Sequence, residues 1–457
     1  MTEKNSKALC DIEASQAPAD GNADGNAQWA EGRTGELKED SSAYDPVFGD
    51  VQGDGPNYRN VGWLGTTALM LKTQIGLGVL SIPATFDLVG IVPGVILLCI
   101  VASVAGWTSY RVGAFKLKHR EVYNMDDADW IFVAGSGILG ISIGLNAVSS
   151  HRLCTAGFVA IAACIGFIFA SIRTLGQISW LAWVGVTFIL SSVLLVTIAV
   201  GVQGGPSSAP PGWISDFKVS TPPSFSNGVS AVATFIFACS ATPAYFSLVA
   251  EMRDPRYFSR AVIISQVGST VIYVTVGSVV YYYCGSLVAS PALGSAGALI
   301  KRIAYGLSLP GLIVTTTIVI HLPSKYFFVR LLRGSEHLTS NSLVHWATWL
   351  SCTFGCTVIA YIIASGIPVF NNLVSLIGAL LGTFLALQPA GCMWFYDNWN
   401  ERRTWKWAIL AAWSAFLIVS GTFITVAGTY ESIVNIIYSL KATGGSRPWT
   451  CADNSSS

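Results

Sequence analysis

Eleven stretches between Trp63 and Tyr430 are apolar for long enough to cross a bilayer: 64–86, 89–112, 129–147, 153–171, 177–202, 227–250, 259–284, 307–331, 342–365, 367–395 and 405–429. A hydrocarbon core of about 30 Å takes roughly 20 helical residues. Backbone groups there have no water to turn to, so each stretch is expected to close its own hydrogen bonds as helix. Charge usage agrees. Only 11% of the chain is Asp, Glu, Lys or Arg, against about 25% in soluble proteins. Residues 1–60 hold 12 acids and 5 bases, which leaves 34 charged side chains for the other 397 positions. That excludes a soluble globular enzyme and an extended nucleic-acid binder. The net charge of +1 gives no sign of a polyanionic partner. The expected class is an all-α integral membrane protein whose partner is the lipid bilayer.

The chain divides into three parts. Residues 1–60, rich in Asp, Glu, Ala, Gly and Ser, cannot bury enough surface to order themselves and are expected to form a disordered acidic tail. No apolar signal-peptide core precedes Trp63. Residues 61–430 form the membrane domain, and 431–457 a short tail. The bases set the orientation. With the N-terminus in the cytoplasm, 19 Lys and Arg fall inside and only six outside, Arg152, Lys218, Lys301, Arg302, Lys441 and Arg447. An odd number of spans then leaves the C-terminus outside, where Asn454-Ser455-Ser456 reads as a glycosylation sequon. Cys154, Cys284 and Cys451 fall on that same side, but their pairing is not fixed by spacing. Cys352 and Cys356 share a helical face with no His or second Cys pair nearby, so no zinc site is expected.

Two segments are interrupted. The first reads Leu71-Lys72-Thr73-Gln74-Ile75-Gly76-Leu77-Gly78-Val79-Leu80-Ser81-Ile82-Pro83, with two glycines and a proline that weaken a helix in mid-membrane. The sixth reads Phe235-Ile236-Phe237-Ala238-Cys239-Ser240-Ala241-Thr242-Pro243-Ala244-Tyr245-Phe246, where Pro243 removes a hydrogen bond among small residues. Either alone could be a simple kink. Paired at matching places of two five-helix halves, they point to a midplane site in an inverted-repeat transporter. A broken helix frees N–H groups on one side and C=O groups on the other. Freed amides at Ile75, Gly76, Leu77, Gly78 and Val79 suit a carboxylate, helped by the half-helix dipole. Freed carbonyls and hydroxyls at Phe237, Ala238, Cys239, Ser240 and Thr242 suit an ammonium. An α-amino acid presents both.

These residues carry a family resemblance. Ile75-Gly76-Leu77-Gly78-Val79-Leu80-Ser81-Ile82-Pro83 resembles the first-helix signature of the amino acid/auxin permease family, and Glu251-Met252-Arg253-Asp254-Pro255 resembles the motif that ends its sixth helix. Ser179–Gly185 and Pro323–Phe328 are similar to fungal neutral (N-system, methyltryptophan-resistance type) amino acid permeases. The resemblance spans about Asn60 to Tyr430. It implies a leucine-transporter-like five-plus-five inverted repeat with an eleventh transmembrane helix, no cofactor, and proton-driven uptake of neutral amino acids. It also implies a longer third helix than the 17 residues from Trp130 to Asn146, so no site residue is assigned there and a missing piece is expected to bear on function.

Three ionisable positions stand out. Lys72 lies inside the first segment, four residues before Gly76. It either snorkels to the cytoplasmic surface or serves the site, which is the default reading of an intramembrane charge. The resemblance implies that sodium-coupled relatives carry a neutral ligand there, shared with an eighth-helix threonine. Lys72 would then take the place of sodium, with Thr316 or its neighbours Thr315 and Thr317 as hydroxyl partner. His321 is a second proton-relay candidate, and a buried, hydrogen-bonded core histidine is the plainer alternative. Glu251 reads as an inner-gate ion pair beside Arg253 and Asp254. No hydrolytic constellation appears, so the chain is read as no enzyme. The expected function is proton symport of neutral aliphatic and aromatic amino acids in the plasma membrane. A vacuolar transporter of the same family and a transporter-like nutrient sensor are the alternatives.

Overall fold

The computed structural model describes residues 60–119, 130–206, 208–338, 340–442, 448–449 and 451–455. Every described residue lies in one compact unit. The expected acidic tail falls outside the described residues.

The described chain is helical throughout. Its elements are α1 (Trp63–Ile75), α2 (Gly78–Val89), α3 (Ile91–Lys118), α4 (Trp130–Ser149), α5 (Thr155–Ala170), α6 (Leu175–Gln203), α7 (Phe225–Cys239) and α8 (Thr242–Ala250). They continue with α9 (Phe258–Cys284), α10 (Ala298–Leu332), α11 (Leu343–Gly366), α12 (Phe370–Ile377), α13 (Gln388–Asn398) and α14 (Trp405–Ala442), with a π-helical stretch, Gly378–Leu387, joining α12 to α13. Among the described residues nine helices are long and apolar enough to cross a membrane, and the bent pair α1 and α2 makes a tenth. The fourth expected span appears as α5, apolar but only 16 residues, about 24 Å at the helical rise. The expected eleven are reached only when α5 is included.

Two ends run past their apolar stretches. Helix α10 starts at Ala298 rather than 307, taking in Lys301 and Arg302, because a helix end at the interface tolerates charge. Helix α14 continues to Ala442 rather than 429 because its last turns are held by polar contacts: Ser226 Oγ donates to Glu431 Oε2 at 2.7 Å, and Asn372 Nδ2 to Ser439 Oγ at 2.8 Å.

Packing sorts the helices into two groups. Helices α1, α2, α3, α7, α8 and α9 pack on one another, and α4, α5, α10 and α11 form a second cluster. Helix α6 touches both, while α14 lies on α7 and the α12–α13 span. Large apolar residues such as Ile96, Ile100, Ile168, Trp180 and Phe416 are exposed on the rim, as lipid-facing positions should be. The α7–α8 span is among the most enclosed, 83% of its apolar window buried against 17% for α14.

On the face opposite the basic loops, Cys154 and Cys451 form a disulfide while Cys284 is a buried free thiol, which resolves the pairing left open by spacing. Asn454 is 8% exposed and its Oδ1 accepts from Asn146 Nδ2 at 2.7 Å. Its side chain is enclosed and engaged, so the sequon expected there is not presented to solvent.

The α7 and α12–α13 spans cross closely at Gly378. A Cβ added there would stand 1.9 Å from the Ala233 carbonyl oxygen. Gly378→Val should therefore lower stability by at least about 1–3 kcal/mol, the usual cost of overpacking. Thermal unfolding of the purified protein in detergent checks this, with Gly355→Val, where a Cβ would meet nothing within 4 Å, as the mild control.

Candidate functional site

Both expected interruptions are present. Helices α1 and α2 bend by 40° across Gly76 and Leu77, and α7 gives way to α8 across Ser240 and Ala241. The prolines do not sit in the breaks. Pro83 lies within α2 and Pro243 in the first turn of α8, where its missing N–H costs nothing. Glycine permits the close approach of the two breaks. A Cβ on Gly78 would come within 2.9 Å of Ala238 Cα and of the Tyr273 hydroxyl, and one on Gly76 within 2.5 Å of Thr315 Oγ1.

Between the breaks lies a cavity of about 30 Å³, room for a water or two. Leu77, Gly78, Phe237 and Ser240 line it, together with Thr73, Ala241 and Pro243. Trp130 and Val133 of α4, Thr315 of α10, and Ile377, Leu381 and Gly382 close the remaining sides. None of the lining residues is an acid or a base. Two polar atoms on this lining, Trp130 Nε1 and Ser240 Oγ, are buried with no hydrogen-bond partner among the described residues. A donor left open on a cavity wall is a natural contact for a ligand oxygen.

The other expected site residues are placed differently. Ile75 and Val79 are fully buried in the core and lie off the cavity. The Ala238 carbonyl accepts from Tyr273 Oη at 2.9 Å, and Cys239 O from Gln74 Nε2 at 3.4 Å. Those two carbonyls are thus already engaged. Thr242 faces α3, where its hydroxyl meets Ser109 Oγ at 3.1 Å and Thr108 Oγ1 at 3.3 Å. Gln74 was not singled out from sequence. It donates to Tyr245 Oη at 2.8 Å and to Gln266 Oε1 at 2.9 Å, and accepts from Ser269, tying α1, α8 and α9 behind the breaks.

Lys72 does not snorkel. It is fully buried, and its Nζ has no hydrogen-bond partner among the described residues. Its aliphatic stem passes Gly185 of α6, where a Cβ would stand 2.8 Å from Lys72 Cε and 2.9 Å from Val314 Cβ of α10. Thr316 points elsewhere, toward Gly137 of α4 and Gly166 of α5, and its Oγ1 bonds Leu312 O at 2.9 Å. The hydroxyl beside the first break is that of Thr315. His321 is buried edge-on to Trp349 of α11, ring centroids 5.1 Å apart, so it is not grouped with Lys72.

Glu251 is ion-paired with Lys325 of α10, a partner not named from sequence, and both are buried. Beside this pair, Val61 N donates to Glu251 O at 3.2 Å and Arg253 N to Val61 O at 2.9 Å. The start of α1, the end of α8 and α10 are thereby bound together on the basic face.

A helical bundle whose first and sixth spans break against each other around a small uncharged cavity defines a secondary transporter of the inverted-repeat type. The chain belongs to the transmembrane amino acid transporter protein family, whose profile matches residues 59–124 and 129–434. A transmembrane transporter of Gibberella moniliformis is 33% identical over 430 residues, covering 88% of this chain and 90% of that one. The N amino acid transport system protein of Neurospora crassa is 29% identical over 422 residues, covering 86% and 89%. The fold is similar to that of Mhp1, a nucleobase-cation-symport-1 family transporter solved in a closed conformation, with a TM-score of 0.52, 13% identity, and 88% and 98% of the two chains covered. The leucine-transporter-like architecture expected from sequence is thus the observed one, and membership in a transporter family agrees with the absence of enzymatic function.

Because Gly78 lies against Ala238, Gly78→Val should abolish solute uptake while leaving membrane insertion intact. A β-branched side chain would push the two breaks apart. Uptake measured against surface abundance checks this, and saturable uptake at the parental rate would remove Gly78 from the site.

Proposed function

We propose that the protein imports neutral aliphatic and aromatic amino acids by proton symport across the plasma membrane. The carrying observation is the cavity between the two breaks, whose lining holds apolar and aromatic groups, two open polar contacts and no charged side chain. The substrate's α-carboxylate is assigned to the freed amides at the start of α2, and its ammonium to the carbonyls and hydroxyl around Phe237 and Ser240. The closed cavity has room only for water, so the substrate's side chain is assigned to the space that opens between Trp130, Val133, Ile377 and Leu381 when the breaks part. The relative from Neurospora crassa, an N amino acid transport system protein, supports an amino acid as substrate.

Orientation follows from the bases, with the N-terminus and residues 1–60 in the cytoplasm and 431–457 outside. The Cys154–Cys451 disulfide supports this, since such bonds persist on the oxidising side. Glu251 and Lys325, with the backbone bridge from Val61, then form the inner gate.

The proton carrier proposed is Lys72. A buried ammonium without an oxygen partner is costly, so its charge is held only in a state where such a partner is supplied. Thr315, packed against Gly76 one turn after Lys72, is the hydroxyl assigned to that role. A sodium ion within about 4 Å of that ammonium would be opposed by roughly 4 kcal/mol at an effective dielectric of 20. While Lys72 carries its proton, the cation site of sodium-coupled carriers is therefore closed to sodium. Thr316 and His321, oriented toward other helices, are left as packing residues.

Uptake of labelled Leu, Phe or Trp into proteoliposomes should follow an imposed pH gradient and ignore sodium. Lys72→Ala should retain substrate binding but lose pH-driven accumulation. Accumulation that survives collapse of the proton gradient and vanishes without sodium would overturn the scheme. Arg and Glu should be taken up far more slowly than Leu, since no lining group can neutralise their side chains. Equal rates in a competition assay would refute neutral selectivity, and binding with no accumulation of any substrate would mark a sensor instead.

A further inference from the structure

Beyond α14 the chain turns back over the face that carries the disulfide. Cys451 is bonded to Cys154, 297 positions earlier, at the start of α5. Thr155 Oγ1 donates to Ala452 O at 2.6 Å, and Asn146 Nδ2 of α4 donates to Asn454 Oδ1 at 2.7 Å and to Thr155 Oγ1 at 2.8 Å. Lys301 Nζ of α10 reaches Ser455 Oγ at 3.4 Å, and Trp449 N donates to Ser365 O of α11 at 3.2 Å. Asn454 and Ser455 are nearly enclosed. The tail thus engages each of the four helices of the second cluster.

The helix it issues from belongs elsewhere. Beyond the bonds from Glu431 to Ser226 of α7 and from Ser439 to Asn372 of α12, the Ser432 hydroxyl meets that of Ser375 at 3.1 Å. Only eight residues separate Ala442 from Cys451, so however they are arranged the link spans no more than about 30 Å.

We propose that residues 448–449 and 451–455, seated as described, form a covalent strap that joins α14, with α7 and α12, to the α4–α5–α10–α11 cluster, and that it limits how far the two parts separate on the exoplasmic face. Alternating access moves one group of helices against the other around a fixed site. Hydrogen bonds in the seat can break and re-form during that motion, whereas the disulfide persists. The strap therefore sets the outer limit of opening. This inference rests on the transport reading for its consequence, but its geometry does not.

The test uses the full-length protein in nanodiscs and in right-side-out vesicles. Thiol tagging before and after a membrane-impermeant phosphine reports whether the Cys154–Cys451 bond exists and is cut. Cutting it should raise hydrogen exchange in 225–239 and 292–297, and change the initial rate of leucine uptake by about five-fold or more, the lower end of typical conformational couplings. Reoxidation should restore both. A Cys154→Ser/Cys451→Ser double variant should match the reduced protein and no longer respond to phosphine. Should that variant misfold, reduction of the folded parent still decides. Exchange that rises on reduction in a protein with no uptake at all would uphold the strap and sink the transport reading. Two free thiols before reduction, or verified cleavage that leaves exchange and uptake unchanged, would overturn the strap.

Discussion

The constraint on which the structure depends is that a polar backbone group in hydrocarbon must find its partner within the protein. Interrupting a helix at mid-depth is tolerable only where other helices enclose the interruption. Both breaks meet that condition, with Gly78 against Ala238 of the other break and Gly76 against Thr315 of α10. Tyr273 and Gln74 take two of the carbonyls set free at the end of α7. Both broken spans are correspondingly among the most enclosed of the bundle. What remains uncommitted, a serine hydroxyl and an indole N–H on the cavity wall, is the polar surface left for a solute.

Much of this was legible in sequence because the bilayer enforces a simple code. Helix existence and order followed from apolar length, and both breaks fell where glycine and small residues cluster. The positions within the breaks were less legible, since the prolines that flagged them sit one step inside the following half-helices. Lys72, Thr315 and Thr316 show the reason for the remaining errors. Adjacent threonines on a helix point about 100° apart, and nothing local says which faces α1. Only the packing of Gly76 against Thr315, and of Gly137 and Gly166 against Thr316, assigns them. Trp130 was unreadable for a similar reason: a residue at the very start of a short helix gave no hint that it would reach the cavity. The partner of Glu251 was hidden too, because Lys325 is 74 positions away in sequence and meets it only when α8 and α10 converge.

The two helix groups are held together differently on their two faces. On the basic face the closure is noncovalent, an ion pair and two backbone hydrogen bonds among α1, α8 and α10, all reversible within a transport cycle. On the opposite face a covalent bond and a set of side-chain seats bind the tail to the four-helix cluster. Removing one member of a buried ion pair leaves the other charge uncompensated, so opening on the basic face requires water to reach Glu251 and Lys325 as they part. On the proposed reading the two faces differ in kind: one opens by hydration, the other within the length of a tether.

The π-helical stretch from Gly378 to Leu387 has a geometric consequence for the cavity. Its hydrogen bonds run one residue further than in an α-helix, so each such turn takes up one residue more than the α-helical path. Tightening a single turn to α geometry would rotate everything beyond it by about 100° and advance it by about 1.5 Å. Leu381 and Gly382 lie within this stretch and on the cavity wall, and Gln388 and Ala390 follow it. The wall formed by Ile377, Leu381 and Gly382 thus depends on the π geometry of this stretch, since a one-residue step ahead of Leu381 would turn Leu381 and Gly382 by about 100° while leaving Ile377 in place.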